Sequence, residues 1–316
     1  MDTKPIGGYF ELELNLNNCN NTYHFNAIGL NSGRCCLEYI LKCRKYKKIY
    51  LPYFTCDSIL YPIKRLGLDY SFYNIDENYF IRDEIILSSS EAIIYTNYWG
   101  LLDGYCKQLA EKFKNQLILD YTQAFYSLPV DSIDTFYSCR KFFGVPDGGY
   151  VYTNANQDFN IGQDISFNRI DSLIKRIDLS AEEGFSDFKR ISKEFHNMPI
   201  AYMSKFTSRM MSSIDYLKVL EIRRKNYLFL QSKLGGKDLQ ISDVPMVFPY
   251  KVKDGTNLRK ELISKKIYVA TYWPNVLEWC NDYIENDLVL NTIPLPIDQR
   301  YNIVDMQRIV QIILNS

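Results

Sequence analysis

The first half of the chain is built from short apolar runs that stop abruptly, with segments of helical spacing between them. The runs are residues 48–51 (Lys-Ile-Tyr-Leu), 70–73, 92–95, 117–119, 135–137 and 150–152. Runs this short, rich in Ile, Tyr and Leu and bounded by turn residues, read as strands. Segments 37–45, 59–66 and 105–113 carry apolar residues at helical spacing. Strands alternating with such helices predict βαβ units and a mostly parallel sheet, hence an α/β fold.

Beyond residue 164 the pattern changes. Ile170, Leu173, Ile174 and Ile177 recur at helical spacing, as do Leu217, Leu220, Ile222, Tyr227 and Leu230. Arg223, Arg224 and Lys225 interrupt the second set and are expected on its solvated face. Ser180 followed by Glu182 and Glu183 reads as a helix start, and Gly235-Gly236 as a helix stop. The last 80 residues return to a mixed pattern. Residues 246–248 and 267–269 read as strands, 258–264 and 303–314 as helices, and Pro294-Leu-Pro296 as an extended lead into the last helix. The expected organisation is a large domain over 1–200, then a long helix and a small α/β domain over 201–316.

Charge and cysteine usage narrow the partners. Lys+Arg and Asp+Glu are both 37, a formal charge of zero, which gives no reason to expect nucleic acid. No apolar run approaches the length of a membrane span, and the N-terminus lacks the apolar core of a signal peptide. Eight cysteines (Cys19, Cys35, Cys36, Cys43, Cys56, Cys106, Cys139 and Cys280) form no Cys-x-x-Cys. With His24 and His196 as the two histidines, no metal site is expected. Reduced thiols in a cytoplasmic protein are the expectation.

Three features carry chemistry, each at the carboxyl end of an expected strand or the start of a helix, where open α/β sheets bind ligands. Asn31-Ser32-Gly33-Arg34 opens a helix; its free N–H groups suit a phosphate or carboxylate, while a plain N-cap by Ser32 is the simpler alternative. Asp120-Tyr-Thr-Gln123-Ala follows an apolar strand. A carboxylate there is partly buried and needs a partner, such as a protonated ring nitrogen, unless it merely caps a turn. The third is Ser138-Cys-Arg-Lys141-Phe-Phe, followed by Pro146-Asp-Gly-Gly149. A lysine held among aromatics loses solvation, its pKa falls, and its neutral amine can form a Schiff base; alone it would more simply be a surface lysine. Lys141 follows Asp120 by 21 positions. In this order the three supply phosphate donors, a ring-nitrogen carboxylate and an imine-forming lysine, the set that pyridoxal 5'-phosphate needs.

With these residues in place the chain resembles the DegT/StrS-type nucleotide-sugar aminotransferases, which are fold-type-I pyridoxal-phosphate (PLP) enzymes. Ser32-Gly33-Arg34 stands where that family has Ser/Asn-Gly-Thr. Leu51-Pro52-Tyr-Phe-Thr55 and the later Gly67-Leu-Asp-Tyr-Ser-Phe-Tyr-Asn-Ile75-Asp76 are similar to its Pro-x-x-Thr helix and Asp-Ile-Asp strand. Thr96-Asn-Tyr-Trp-Gly100 resembles its His/Asn-x-Tyr/Phe-Gly turn, Asp120-x-x-Gln123-Ala124 its Asp-x-Ala-His/Gln-Ala, and Ser138-x-x-Lys141 with Asp147-Gly-Gly its lysine segment. Leu295-Pro296 through Asp305-Met306 resembles the close of its small domain.

The resemblance implies the aspartate aminotransferase fold type I, a large mainly parallel sheet domain plus a small C-terminal α/β domain. It implies a PLP-dependent aminotransferase that moves an amino group from an amino-acid donor, glutamate foremost, to a nucleotide-linked keto-sugar, in polysaccharide or secondary-metabolite biosynthesis, and a homodimer. Another PLP reaction of lyase or aldolase type, or a PLP-binding paralogue without catalysis, are the alternatives. Lys141 would carry the cofactor and Asp120 would pair its ring nitrogen. Gln123 would touch the phenolic oxygen. Ser32, Gly33 and Ser138 would hold the phosphate, with Arg34 beside them. The family's ring-stacking place falls on Cys56, with Tyr53, Phe54 and Trp99 as the aromatic neighbours. Ser138 and Lys141 are closer than the family's usual spacing, and Asn168-Arg169 is the candidate for its Asn-x-Arg segment between subunits.

Overall fold

The computed structural model describes residues 12–14 and 22–315. Cys19 and most of the N-terminal segment lie outside them. Nine strands among the described residues make one sheet: β1 (Ile28–Leu30), β2 (Lys48–Pro52), β3 (Asp69–Tyr73), β4 (Glu91–Thr96), β5 (Leu117–Asp120), β6 (Asp134–Ser138), β7 (Gly149–Tyr152), β8 (Gly162–Gln163) and β9 (Ala201–Tyr202). Their spatial order is β3-β2-β4-β5-β6-β7-β1-β9-β8. From β3 through β6 every pairing is parallel, and β7 runs antiparallel to both β6 and β1. The sheet is therefore mixed and mostly parallel. Each of the six expected strands is present. Strand β1 gave no comparable signal, being three residues that include Gly29.

Helices α1 (Gly33–Arg44), α2 (Leu60–Arg65) and α3 (Asp103–Phe113) connect these strands. Side-chain alternation along the strands divides the core in two. Ala92, Ile94 and Ile118 pack with Leu37, Ile40 and Leu41 of α1 and Ile63 of α2. Ile93, Tyr95, Leu117 and Leu119 face the other way, onto Leu109 and Phe113 of α3. Each such Leu or Ile, fully buried, contributes about 1.5–3 kcal/mol. Burial on both faces explains why β4 and β5 read as unbroken apolar runs rather than as alternating ones.

After β8 come α4 (Asp171–Asp178) and α5 (Phe185–Glu194). The expected helix start at Ser180 is a turn instead: its hydroxyl accepts from the Glu183 amide at 3.2 Å, and α5 begins only at Phe185. α6 (Lys205–Ser212) and the long α7 (Tyr216–Leu234) lead to β10 (Phe248–Lys251), α8 (Gly255–Ser264), α9 (Val276–Trp279), α10 (Tyr283–Asn291), β11 (Thr292–Leu295) and α11 (Ile303–Leu314). β10 and β11 form an antiparallel pair. Pro294 and Leu295 of the extended segment are thus the last two residues of a strand, and Pro296 follows it. Phe248 opens β10, whereas Met246 and Val247 precede it. Residues 267–269 form no strand; Ile267 and Val269 are apolar because their side chains are buried.

Arg223 departs from its expected solvated face. It is 1% exposed. Its guanidinium donates to the carbonyls of Met246 at 2.9 Å, Pro245 at 3.3 Å and Phe142 at 3.3 Å, and lies over the Phe142 ring. Five fixed donors let one arginine satisfy three loop carbonyls. It thereby ties α7 to the segment that carries Lys141.

Candidate active site

The sheet's pairing brings the three sequence features to one edge. Thr96 of β4 lies beside Asp120 of β5, so both strands end level. Ser138, the last residue of β6, pairs with Gly149, and Gly149 pairs on its other side with Leu30, the last residue of β1. The antiparallel β7 therefore starts where β1 and β6 finish. Added Cβ atoms at Gly149 would stand 2.8 Å from the Cys36 sulfur, the Ser32 carbonyl carbon and the Tyr137 oxygen. Only glycine lets β7 pass this close beneath the start of α1.

Ser32 is the N-cap of α1, in extended conformation, and its Oγ accepts from the Cys35 amide at 3.1 Å. The capping role and a place at the ligand edge coexist. A Cβ at Gly33 would meet the Thr122 methyl at 3.2 Å and Ser138 Cβ at 3.5 Å, so the helix start is pressed against the ends of β5 and β6. Arg34 follows, lying over the Tyr61 ring, with a buried Nη1 that has no hydrogen-bond partner.

Asp120 is buried. Its Oδ1 accepts from the Thr122 amide at 2.8 Å, the turn expected of such a residue, which leaves Oδ2 with a long 3.5 Å contact from the Thr96 hydroxyl. Gln123 is fully buried; its Oε1 accepts from the Trp99 amide at 2.8 Å, while its Nε2 has no partner. Lys141 ends a single 3₁₀ turn, Cys139–Lys141, that follows β6. Its Nζ donates to Thr122 Oγ1 at 2.9 Å. Burial pushes the Lys141 ammonium below its ordinary value; Asp120 and Cys56 oppose the fall, and Arg34 adds to it.

These groups surround one cavity of about 350 Å³. Ser32, Gly33, Arg34, Asp120, Gln123, Ser138 and Lys141 all line it. Cys56 lines it too, with its thiol pushed up by burial and therefore neutral. Tyr53, Phe54 and Trp99 do not line it; Phe54 and Trp99 are buried in the core beside it. The aromatic rings that do face it include Tyr272 and Trp273, brought in from the C-terminal part of the chain, and Phe188 and Phe195 from α5 and its end. Thr122 and Arg140 also line it. Sequence reading passed over all six. Thr122 and Arg140 sit inside motifs already singled out, whereas nothing local marks Tyr272 or Phe195.

Other candidates lie elsewhere. Arg300 pairs with Asp298 at 2.7 Å, and Arg209 is an exposed residue of α6 outside the cavity lining. Arg44 and Lys45 of the basic run are committed to Asp134 and Asp158, each at 2.7 Å. His196 stacks on Tyr61 with centroids 4.4 Å apart. Arg169 is buried in an ion pair with Asp164 at 2.6 Å and lies 3.4 Å from Asp147. Among the described residues no cluster of His, Cys, Asp and Glu could hold a metal ion, and no helix is long and apolar enough to cross a membrane.

No protein-family profile matches the chain, and no curated protein does. Solved structures do. A DegT DnrJ EryC1 StrS aminotransferase from Brucella abortus is 15% identical, with a TM-score of 0.60 over 92% of this chain and 85% of its own. Spr1654 of Streptococcus pneumoniae, a proposed sugar aminotransferase solved in its PLP form, is 15% identical with a TM-score of 0.60 over 90% and 85%. DesI, solved in the presence of its TDP-sugar product, is 13% identical with a TM-score of 0.63 over 91% and 79%. The likeness extends over nearly the whole chain in each case, and the architecture of this protein is that of the fold-type-I PLP-dependent aminotransferases.

Proposed function

We propose that this protein is a PLP-dependent aminotransferase that moves an amino group, from glutamate foremost, to a nucleotide-linked keto-sugar. The observation that carries the reading is Lys141, its Nζ held at Thr122 in a cavity that also presents Asp120 and Gln123. The residues present fit the cofactor. Gln123 Nε2 and Arg34 Nη1 are buried donors without partners, and each would gain an acceptor. Lys141, the one lysine of the lining, has its ammonium disfavoured by burial, as an imine-forming amine requires.

Pyridoxal phosphate, when bound, supplies an electron sink for the pair left when a proton leaves the donor's Cα. Ser32, Gly33 and Ser138, with Arg34, would hold the phosphate at the start of α1. Asp120 would pair the ring nitrogen, its negative charge favouring the protonated form. Gln123 would donate to the phenolic oxygen. Lys141 Nζ would serve as the base for the donor's Cα proton and as the acid that returns it, with Thr122 Oγ1 holding the amine between these roles. Tyr272 and Trp273 keep water from this face.

The substrate class draws on likeness to DesI, whose structure was solved with its TDP-sugar product. A homodimer is part of the proposal, since this fold places its active sites at subunit boundaries. Cytoplasmic placement suits the seven free thiols among the described residues.

An absorption spectrum tests the reading. Pyridoxal phosphate added to the purified protein is expected to give the visible band of a lysine-linked cofactor, absent in Lys141→Ala. Glutamate is expected to convert it to the near-ultraviolet band of the aminated cofactor. A Lys141-dependent band indifferent to every amino donor would overturn the aminotransferase and favour a lyase, an aldolase or a binding paralogue. No band in the parent would remove the cofactor.

A further inference from the structure

Arg34 and Arg140 both line the cavity, and Arg34 Nη1 is buried there without a hydrogen-bond partner. Arg140 lies over the Phe195 ring at 4.5 Å and near Phe188 at 5.9 Å, its guanidinium supported by aromatic faces instead of acceptors. Asp147, the carboxylate whose charge acts on Arg140, is engaged by Arg169 at 3.4 Å and by the Ser204 amide at 3.3 Å. Burial first, then the like charge of Arg34, push Arg140 down to about 10, against the opposing charge of Asp147. Two like charges sharing a partly dry cavity are costly, and the carboxylate of the lining, Asp120, also acts on Lys141. The cost disappears if an anion of matching charge sits between them.

Their position says which anion. Arg34 is the second residue of α1 and Arg140 the second residue after Ser138, so they flank the corner formed by Ser32, Gly33 and Ser138. That corner offers backbone N–H groups and hydroxyls; the arginines add forked donors that match phosphate oxygens. We propose that Arg34 and Arg140 form a two-guanidinium anchor for a phosphate group, with Phe195 and Phe188 holding Arg140 in place. This rests on the reading of the cavity as a PLP site, where the phosphate would be the cofactor's; a nucleotide-linked substrate could present the same chemistry through its diphosphate. Arg140 then contacts the ligand directly, and Phe195 is a positioning residue.

Equilibrium titrations of Arg140→Met and Arg140→Lys with pyridoxal phosphate and with pyridoxal, which lacks the phosphate, test this. Arg140→Met is expected to weaken pyridoxal phosphate roughly ten- to hundredfold and to leave pyridoxal unchanged. Arg140→Lys should recover part of the loss, and Phe195→Ala should reproduce part of it. Equal losses for both ligands, or affinities unchanged for pyridoxal phosphate, pyridoxal and uridine diphosphate alike, would overturn the anchor and leave Arg140 a packing residue. Thermal shifts with inorganic phosphate separate the two levels. If the parent forms no cofactor band yet phosphate raises its Tm in an Arg140-dependent way, the anchor stands and the aminotransferase reading falls. Uridine diphosphate identifies the source: a variant that keeps pyridoxal phosphate but loses the nucleotide assigns the anchor to the substrate.

Discussion

Lys141 donates to Thr122 across 2.9 Å, and the same Thr122 donates its amide to Asp120. One threonine thus fixes the spacing between the amine and the carboxylate, although 19 residues separate it from the lysine in sequence. The distance between the two charges is set by a turn after β5 rather than by either side chain.

Lys141 is expected to destabilise the fold it serves. A lysine whose folded pKa lies below its unfolded one binds fewer protons when folded, so stability rises with pH between the two values and the full burden is present below both. Lys141→Met should raise the Tm of the cofactor-free protein by roughly 2 °C or more near neutral pH, with a smaller gain above pH 10, while abolishing the cofactor band. A lower Tm at neutral pH would show that the Thr122 hydrogen bond outweighs the burial.

Asp120→Asn keeps an acceptor for the Thr122 amide but removes the charge. The variant should fold and bind cofactor, and its half-reaction with glutamate should slow by about 10² or more, measured by stopped-flow absorbance. An unchanged rate would separate Asp120 from the ring nitrogen.

His24 makes the protein sensitive to acid. It is buried, with Nε2 at 2.8 Å from the Phe125 carbonyl and Nδ1 at 3.1 Å from the Tyr152 hydroxyl, and burial pushes its pKa from 6.5 down to about 4. The unfolded chain takes up this proton first, so stability falls as pH drops from 6.5 towards 4, by up to about 3 kcal/mol. His24→Gln should flatten that part of the Tm-against-pH curve. An unchanged slope would place the acid sensitivity on other groups.

Gly149→Ala forces a methyl against the Ser32 carbonyl carbon and the Tyr137 oxygen, both at 2.8 Å. Backbone cannot yield as a flexible side chain can, so a loss of about 1–3 kcal/mol is expected in chemical denaturation. Cofactor affinity should fall with it, because the start of α1 is displaced. Wild-type affinity in a destabilised variant would show that cofactor binding does not depend on this contact.

Much of the fold was legible because β4, β5 and their neighbours are buried on both faces, and double-sided burial writes an apolar run into sequence. Ser32, Asp120, Gln123, Ser138 and Lys141 were legible for a related reason: each sits where a strand or helix changes, and such positions carry marked residue types. Arg223 misled because a charged residue within a helical pattern reads as solvated; its burial depends on three carbonyls contributed by distant loops. Residues 267–269 misled because apolar character records burial and not hydrogen-bond pairing.

By itself, the sequence determined the alternation of the central strands and helices and the chemical set at the edge: a helix start with Ser32 and Gly33, an acid after one strand and a lysine after another. These follow from local preferences and periodicity, which act within a few residues. Tertiary structure alone decided that β7 runs antiparallel beneath α1, that Tyr272 and Trp273 face the cavity in place of Tyr53, Phe54 or Trp99, and that Arg140 joins Arg34 in one lining. Each depends on contacts between segments far apart in the chain, and burial and charge compensation are properties of the space they enclose.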